Sequence, residues 1–338
     1  MSQEKNSKKT SFRNSVKLVG YLKETTLTEK VSSNNRHFIT GNITIAVDEF
    51  NTHRVRFTAF KEDDEEKNEK YELLSKFLPA NTISIASYLK STPTANFATA
   101  ASAAARVWVM AGFEEYAARK GENEKSSVLL RGYTIGNSDP KKEFIPAATF
   151  EIDTYIKDIE DEADEDDNPT GRLLITGLLP GYKGIMYQIP LVAPVEYNVA
   201  KFIRSNYKVG DTARLCGDLV AMRVRLDDNG GDDEEESDRF GKEIEPQVTT
   251  RFIREYVITS GPKKPVQQGE EGCISDKAVT EGLALRETTM DENGKRKPKE
   301  TETEEGSAAV EQEESAPAPT PAPQKEEKPA AYSEDLDF

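Results

Sequence analysis

From Asn14 the chain alternates. Val16, Leu18, Gly20 and Leu22 fall on one side, and Lys17, Val19, Tyr21 and Lys23 on the other. A period of two is that of a strand with one buried face. A polar turn, Ser32-Ser33-Asn34-Asn35, separates it from a second strand over 38–47. A third runs over 54–60, with Val55, Phe57 and Ala59 opposing Arg54, Arg56, Thr58 and Phe60. The spacing then changes to that of a helix over 71–78, which Pro79 stops. Residues 82–89 read as strand again, and the Ala/Thr/Ser-rich stretch 91–105 as a loop or a strand extension. A hairpin of 106–113 and 127–135 follows, turning across 119–123. Five strands with a short helix before the fourth predict a small closed β-barrel.

The plan then repeats. Strands are expected at 150–159, 172–179, 185–192, 211–226 and 249–259, with a helix over 199–207. The closing strands match best, Leu129-Leu130-Arg131-Gly132-Tyr133 against Phe252-Ile253-Arg254-Glu255-Tyr256. The helices correspond through Tyr71 and Phe77 against Tyr197 and Phe202. The expected organisation is a basic arm (1–13), a first barrel (14–140), a second (147–261), a disordered Pro/Ala/Glu/Lys linker (262–332) and an acidic tip (333–338).

The composition changes this picture in one respect. Charged residues are 31% of the chain, hydrophobic ones 36%, and the formal charge is −16, which on its face disfavours a polyanion partner. The charge is unevenly placed. From Pro262 onward 10 basic residues face 19 acidic ones, and three runs before it, 62–66, 158–167 and 227–238, hold 21 acids and no Lys or Arg. Outside the runs and the tail, 35 basic residues stand against 21 acidic ones, a remainder of +14. The runs read as solvated loop tips around a basic body, the separation of sign a polyanion-binding surface needs.

Two cysteines in unlike surroundings, Cys216 and Cys273, suggest a reducing compartment, and no span or leader is evident, so a cytoplasmic protein is expected. His37 and His53 read as surface residues at strand ends. The acids lie in consecutive runs rather than converging from several strands. No phosphate-cradling loop, nucleophile elbow or Cys/His zinc spacing occurs, so neither catalysis nor a cofactor or metal is expected.

The strands place basic and aromatic residues together. Lys17, Tyr21 and Lys23 share a side, as do Arg54, Arg56 and Phe60. So do Arg106 and Trp108, Arg131 and Tyr133, Arg223 and Arg225, and Arg254 and Tyr256. Cations that track phosphates and aromatic faces that stack bases are what a single-strand binder requires. A lone strand aromatic also serves as core, and Tyr133 and Tyr256, on strands apolar on both sides, are open to that reading. Tyr182, in a Pro-Gly-Tyr-Lys-Gly turn, caps a second groove or simply packs.

Asn14-Ser15-Val16-Lys17-Leu18-Val19-Gly20-Tyr21-Leu22 resembles the opening strand of bacterial and phage single-stranded DNA-binding proteins, N-x-V-x-L-x-G-x-L. Arg54-Val55-Arg56-Phe57-Thr58-Ala59-Phe60 resembles that family's third strand, with Phe60 in the place of its stacking tryptophan. The tip, Glu334-Asp335-Leu336-Asp337-Phe338, resembles the acidic, Phe-terminated peptide through which the family recruits replication and repair enzymes. The second barrel matches only in plan, since 189–194 end without an aromatic. The resemblance implies an all-β chain of two tandem five-stranded OB-fold barrels, each with a short helix, and a disordered acidic C-terminal tail. It implies a partner, single-stranded DNA, coated in phage-type replication, recombination and repair in the host cytoplasm. A homo-oligomer is compatible with it, and a membrane role is not expected. An RNA-binding or strand-annealing barrel is one alternative, and a protein-binding scaffold is another.

Overall fold

The computed structural model describes residues 12–62, 68–164, 166–225 and 250–295, with the side chains of 222–225, 250 and 251 left aside. The linker beyond 295, the tip 333–338, the arm up to residue 11, the acidic run 227–238 and most of the run 62–66 lie outside these residues.

The first barrel is built from β1 (Asn14–Thr25), β3 (His37–Ala46), β4 (Thr52–Phe60), β5 (Arg106–Lys120) and β6 (Asn123–Asn137), with β2 (Thr28–Val31) added beside β3. β1 pairs with β3, β3 with β4, β4 in parallel with β6, β6 with β5 and β5 with β1, which closes the ring. The second barrel repeats the circuit with β7 (Ala147–Ala163), β8 (Pro169–Pro180), β9 (Met186–Ala193), β10 (Thr212–Arg225) and β11 (Thr250–Ser260). Here β7 pairs with β8, β8 with β9, β9 in parallel with β11, β11 with β10 and β10 with β7. Two closed five-stranded barrels of one topology, each with a helix between its third and fourth strands, are OB-folds, and the all-β architecture is the expected one.

The barrels are not strung on a linker. β1 and β7 pair antiparallel, Asn14 opposite Ile152 through Val19 opposite Ala147, so the eleven strands of the described residues form one continuous sheet. The alternation read from the sequence explains the core: Val16, Leu18 and Leu22 are buried with Ile39, Val55 and Phe57. Gly20 has no room for a side chain, because a Cβ there would lie 2.3 Å from the Ala46 carbonyl oxygen. The side chain of Asn14, which opens the motif, donates to the Phe113 carbonyl and accepts from its N–H. At the junction Phe113 meets Phe150 and Tyr256 edge-on, at 5.8 and 4.9 Å between ring centres.

Four expectations need correction. Residues 82–105 hold no strand. They form α2 (Ile85–Ser91) and α3 (Phe97–Ala103), capped by Ser84 and Asn96, after α1 (Glu69–Ser75). In α4 (Val199–Asn206) the buried residues are Ala200 and Ile203, whereas Phe202 and, in the turn before the helix, Tyr197 are exposed, unlike buried Tyr71 and Phe77 of the first barrel. Acids of the run 158–167 stand on the long β7 strand as well as at its tip, where Glu162 pairs with Arg172 and Asp161 with Arg204. Residues 262–295 are not linker: a strap leads to α5 (Asp276–Lys295), where Val279 and Met290 are buried. Val279 packs with Leu178, Met186 and Ile274.

Polar bonds fasten α5. Arg286 reaches Glu115 of β5, Nη2 to Oε1 at 2.6 Å and Nε to Oε2 at 2.9 Å. Arg119 meets Glu287 and Asp291 of α5 as well as Glu124. Burial would raise the Glu115 carboxyl pKa, but Arg286, the Gln188 N–H and the Ser126 hydroxyl outweigh it and hold the pKa below the ordinary value.

Candidate nucleic-acid interface

Side chains opposite each other on neighbouring strands share a face. Across β3 and β4, Phe38 faces Phe60, Thr40 faces Thr58, Asn42 faces Arg56 and Thr44 faces Arg54. Arg56 is also level with Arg131 of β6. The opposite side of these strands is the core, so the polar set points outward. One face thus brings together five of the expected residues: Arg54, Arg56, Phe60, Arg131 and Tyr133.

At one end of this face Phe60, 45% exposed, stacks on Phe38 at 5.3 Å and 29° between planes. The Arg36 guanidinium lies 5.3 Å from the Phe60 ring centre and bonds Glu62 at 2.8 Å. Arg54 and Arg56 are exposed, with no ion pair among the described residues. Arg131 leans on Glu114 at 3.3 Å. Lys70 of α1 donates to the Gly132 carbonyl, and burial first, then the Arg131 charge, lowers its pKa. Tyr133 is exposed and lies over Gly112, where a Cβ would fall 2.1 Å from the phenol oxygen. Gly112 therefore lets Tyr133 lie flat along the sheet. Partial burial raises the Tyr133 pKa, so its hydroxyl is a neutral donor at physiological pH.

The remaining expected residues sort differently. Tyr21 faces Arg106, Val19 faces Trp108, and Lys17 faces Met110 on the outer side of β1 and β5. Tyr21 packs edge-on against Phe144 at 5.1 Å and joins the small cluster under α2 and α3, while Arg106 lies 5.1 Å from the Phe144 ring. Trp108 is half-buried against the Gly136 backbone. Lys17 is exposed on this second surface, and Lys23 is half-buried at an irregularity of β1 beyond its pairing with β5. These aromatics already have packing partners, which leaves less of each ring for a base. Tyr256 is a correction. It is 5% exposed, its ring is in the junction core, and burial pushes its pKa to about 12. The strand's core phase continues through it, and Phe113 supplies the mate. His53, expected at the surface, is also buried, with Nε2 unpartnered, and burial, then the Arg254 charge, lowers its pKa to about 4. Arg254 is exposed, over Phe252 at 5.5 Å. The side chains of Arg223 and Arg225 lie outside the described set.

Reading the sequence missed Arg36, Phe38 and Lys70 on this face. The alternation Phe38-Thr40-Asn42-Thr44 carried the signal for Phe38, since it places an aromatic on the polar side of β3. The corresponding outer face of the second barrel has a different character. Leu174 and Pro190 are exposed there, and Arg172 is tied to both Glu162 and Glu255.

The fold and this face define a double OB-barrel protein with one basic, aromatic strip on its first barrel. The chain belongs to the YorF family, whose model matches residues 13–295. That is a different family from the one the opening strand and tip resemble. Two crystal structures of the single-stranded DNA-binding protein from Thermus aquaticus are similar to it at 13% identity. A deletion mutant of that protein aligns over 77% of this chain and 98% of its own, with a TM-score of 0.43. The wild-type protein aligns over 78% and 98%, with a TM-score of 0.42. No curated protein matches. Among the described residues no helix is long and apolar enough to cross a membrane.

Proposed function

We propose that this protein binds single-stranded DNA without catalysis and with little regard to sequence, and that the acidic tip recruits replication and recombination proteins in a phage-type setting. The observation that carries the reading is the outward face of β3, β4 and β6. It pairs Arg54 and Arg56, which have no ion pair among the described residues, with exposed Phe60 and Tyr133. Such a face suits a flexible strand, whose bases can turn onto rings while phosphates follow the arginines. It does not suit a duplex, whose bases are already stacked.

The test is anisotropy of a labelled oligodeoxythymidylate against salt. With two to four phosphates neutralised, log K should fall with log salt at a slope of about −1.5 to −3. A salt-independent affinity, or equal affinity for duplex, would sink the proposal. Competition with oligouridylate separates DNA from RNA preference. Removing Ser333 through Phe338 should abolish partner capture and tighten DNA binding at low salt, because the tail's carboxylates compete with phosphates.

A further inference from the structure

The two barrels each send out a hairpin arm past the closed ring, β5–β6 from the first and β10–β11 from the second. The arms are equivalent in topology and differ, among the described residues, in how their arginines are matched. On the first, Arg119 is matched by Glu124, Glu287 and Asp291, Glu115 is matched by Arg286, and α5 lies alongside. On the second, Arg254 has no ion pair among the described residues, its guanidinium lies over Phe252, and Phe252 is 51% exposed.

This second arm is held against the first barrel. β10 loses its β7 partner after Asp218, which leaves an open edge. The Asn51 side chain takes that edge: its Oδ1 accepts from the Ala221 N–H at 3.0 Å, and its Nδ2 donates to the Leu219 carbonyl at 3.5 Å. Ala221 is level with Arg254 in the hairpin. Asn51 directly precedes β4, on the outer face of which Arg54, Arg56 and Phe60 follow one another over about 20 Å. Phe50, beside Asn51, is 63% exposed. Of the two acids on this turn, Asp48 is engaged by the Phe50 and Asn51 N–H groups, and Glu49 faces solvent.

We propose that a bound single strand runs along β4 from Phe60 to Arg54, crosses the β3–β4 turn at Phe50, and continues onto Phe252 and Arg254 of the second barrel. The second barrel then contributes to binding through its arm, in place of its own outer face. This rests on the single-stranded DNA reading above.

The experiment compares oligodeoxythymidylates of about 6 and about 20 nucleotides, within and beyond the reach of one OB barrel. Three proteins are compared: the full chain, a Phe252→Ala/Arg254→Ala variant and an Arg56→Ala/Phe60→Ala variant. All four side chains are exposed, so urea midpoints should be unchanged. The arm variant should bind the short oligonucleotide like wild type and the long one about tenfold more weakly. The face variant should lose affinity for both. If the arm variant binds the long oligonucleotide as wild type does, or weakens both lengths equally, the crossing is wrong and the first-barrel site stands. If the unmodified chain binds neither, both readings fall.

Discussion

Glu115→Gln tests how the C-terminal helix is held. The Glu115 side chain is 2% exposed and Arg286 12%. The carboxylate takes three bonds from Arg286, one from the Gln188 N–H at 2.8 Å and one from the Ser126 hydroxyl at 2.6 Å. Replacing Oε2 by an amide NH2 turns a donor toward the guanidinium and the Gln188 N–H, and leaves a nearly buried cation with only the half-exposed Glu287 carboxylate, at 3.6 Å, as counter-charge. Breaking a buried pair from one side costs about 3–5 kcal/mol. That is a large share of the total stability of about 5–15 kcal/mol of a typical domain, so α5 should detach before the barrels unfold. Amide exchange across 276–295 should rise about a hundredfold or more, while β1 and β7 stay protected. A Glu115→Leu/Arg286→Met variant should recover to within about 1 kcal/mol of wild type or exceed it, because it removes both charges. The pair should also weaken in acid. The folded pKa of Glu115 is depressed, so its contribution is present above the unfolded value near 4.5 and is lost as pH falls through the folded one. If Glu115→Gln changes stability by less than about 1 kcal/mol and leaves exchange in α5 as it was, the Glu115–Arg286 pair is not what holds the helix and the argument from its burial is wrong.

His53 has its pKa lowered from 6.5 to about 4, so the unfolded chain takes up a proton first as pH falls. Urea unfolding should therefore show about 2 kcal/mol lost between pH 7.5 and 5, and His53→Leu should remove that slope. Tyr256→Ala, a core truncation, should cost about 3–5 kcal/mol by denaturation with no change in DNA affinity per folded molecule. Phe60→Ala should do the reverse, weakening single-strand binding by about 5- to 150-fold, the worth of one stacked base, at nearly constant stability. Equal effects of the two on affinity would contradict the assignment of faces.

The barrels were legible because a half-buried strand writes a period of two, and Val16 to Leu22 keep it without interruption. Alternation also located Arg54, Arg56 and Phe60, since a strand has only two sides. It could not say which side Tyr256 takes, because Phe252 and Arg254 share its phase and leave the barrel while Tyr256 stays within it. The helices over 85–103 lack a strong apolar stripe, and their signals are the caps Ser84 and Asn96, each followed three residues later by a hydroxyl side chain. Helix α5 was hidden by its charge. An acidic stretch with few apolar residues reads as linker, and the cations that hold it, Arg119 for one, lie more than 150 residues earlier in the chain. Long-range ion pairs leave no local period to read.

The pairing of β1 with β7 has a genetic consequence. Were such a junction made between two copies of a one-barrel chain, a single gene would encode both halves, and every substitution would strike them together. Joined in one polypeptide, the halves mutate separately. One could keep its arginines and its aromatic strip while the other spent its cations on Glu162, Asp161 and Glu255. The shared strand pair holds the two in register throughout, so divergence of their surfaces need not have disturbed the sheet that joins them.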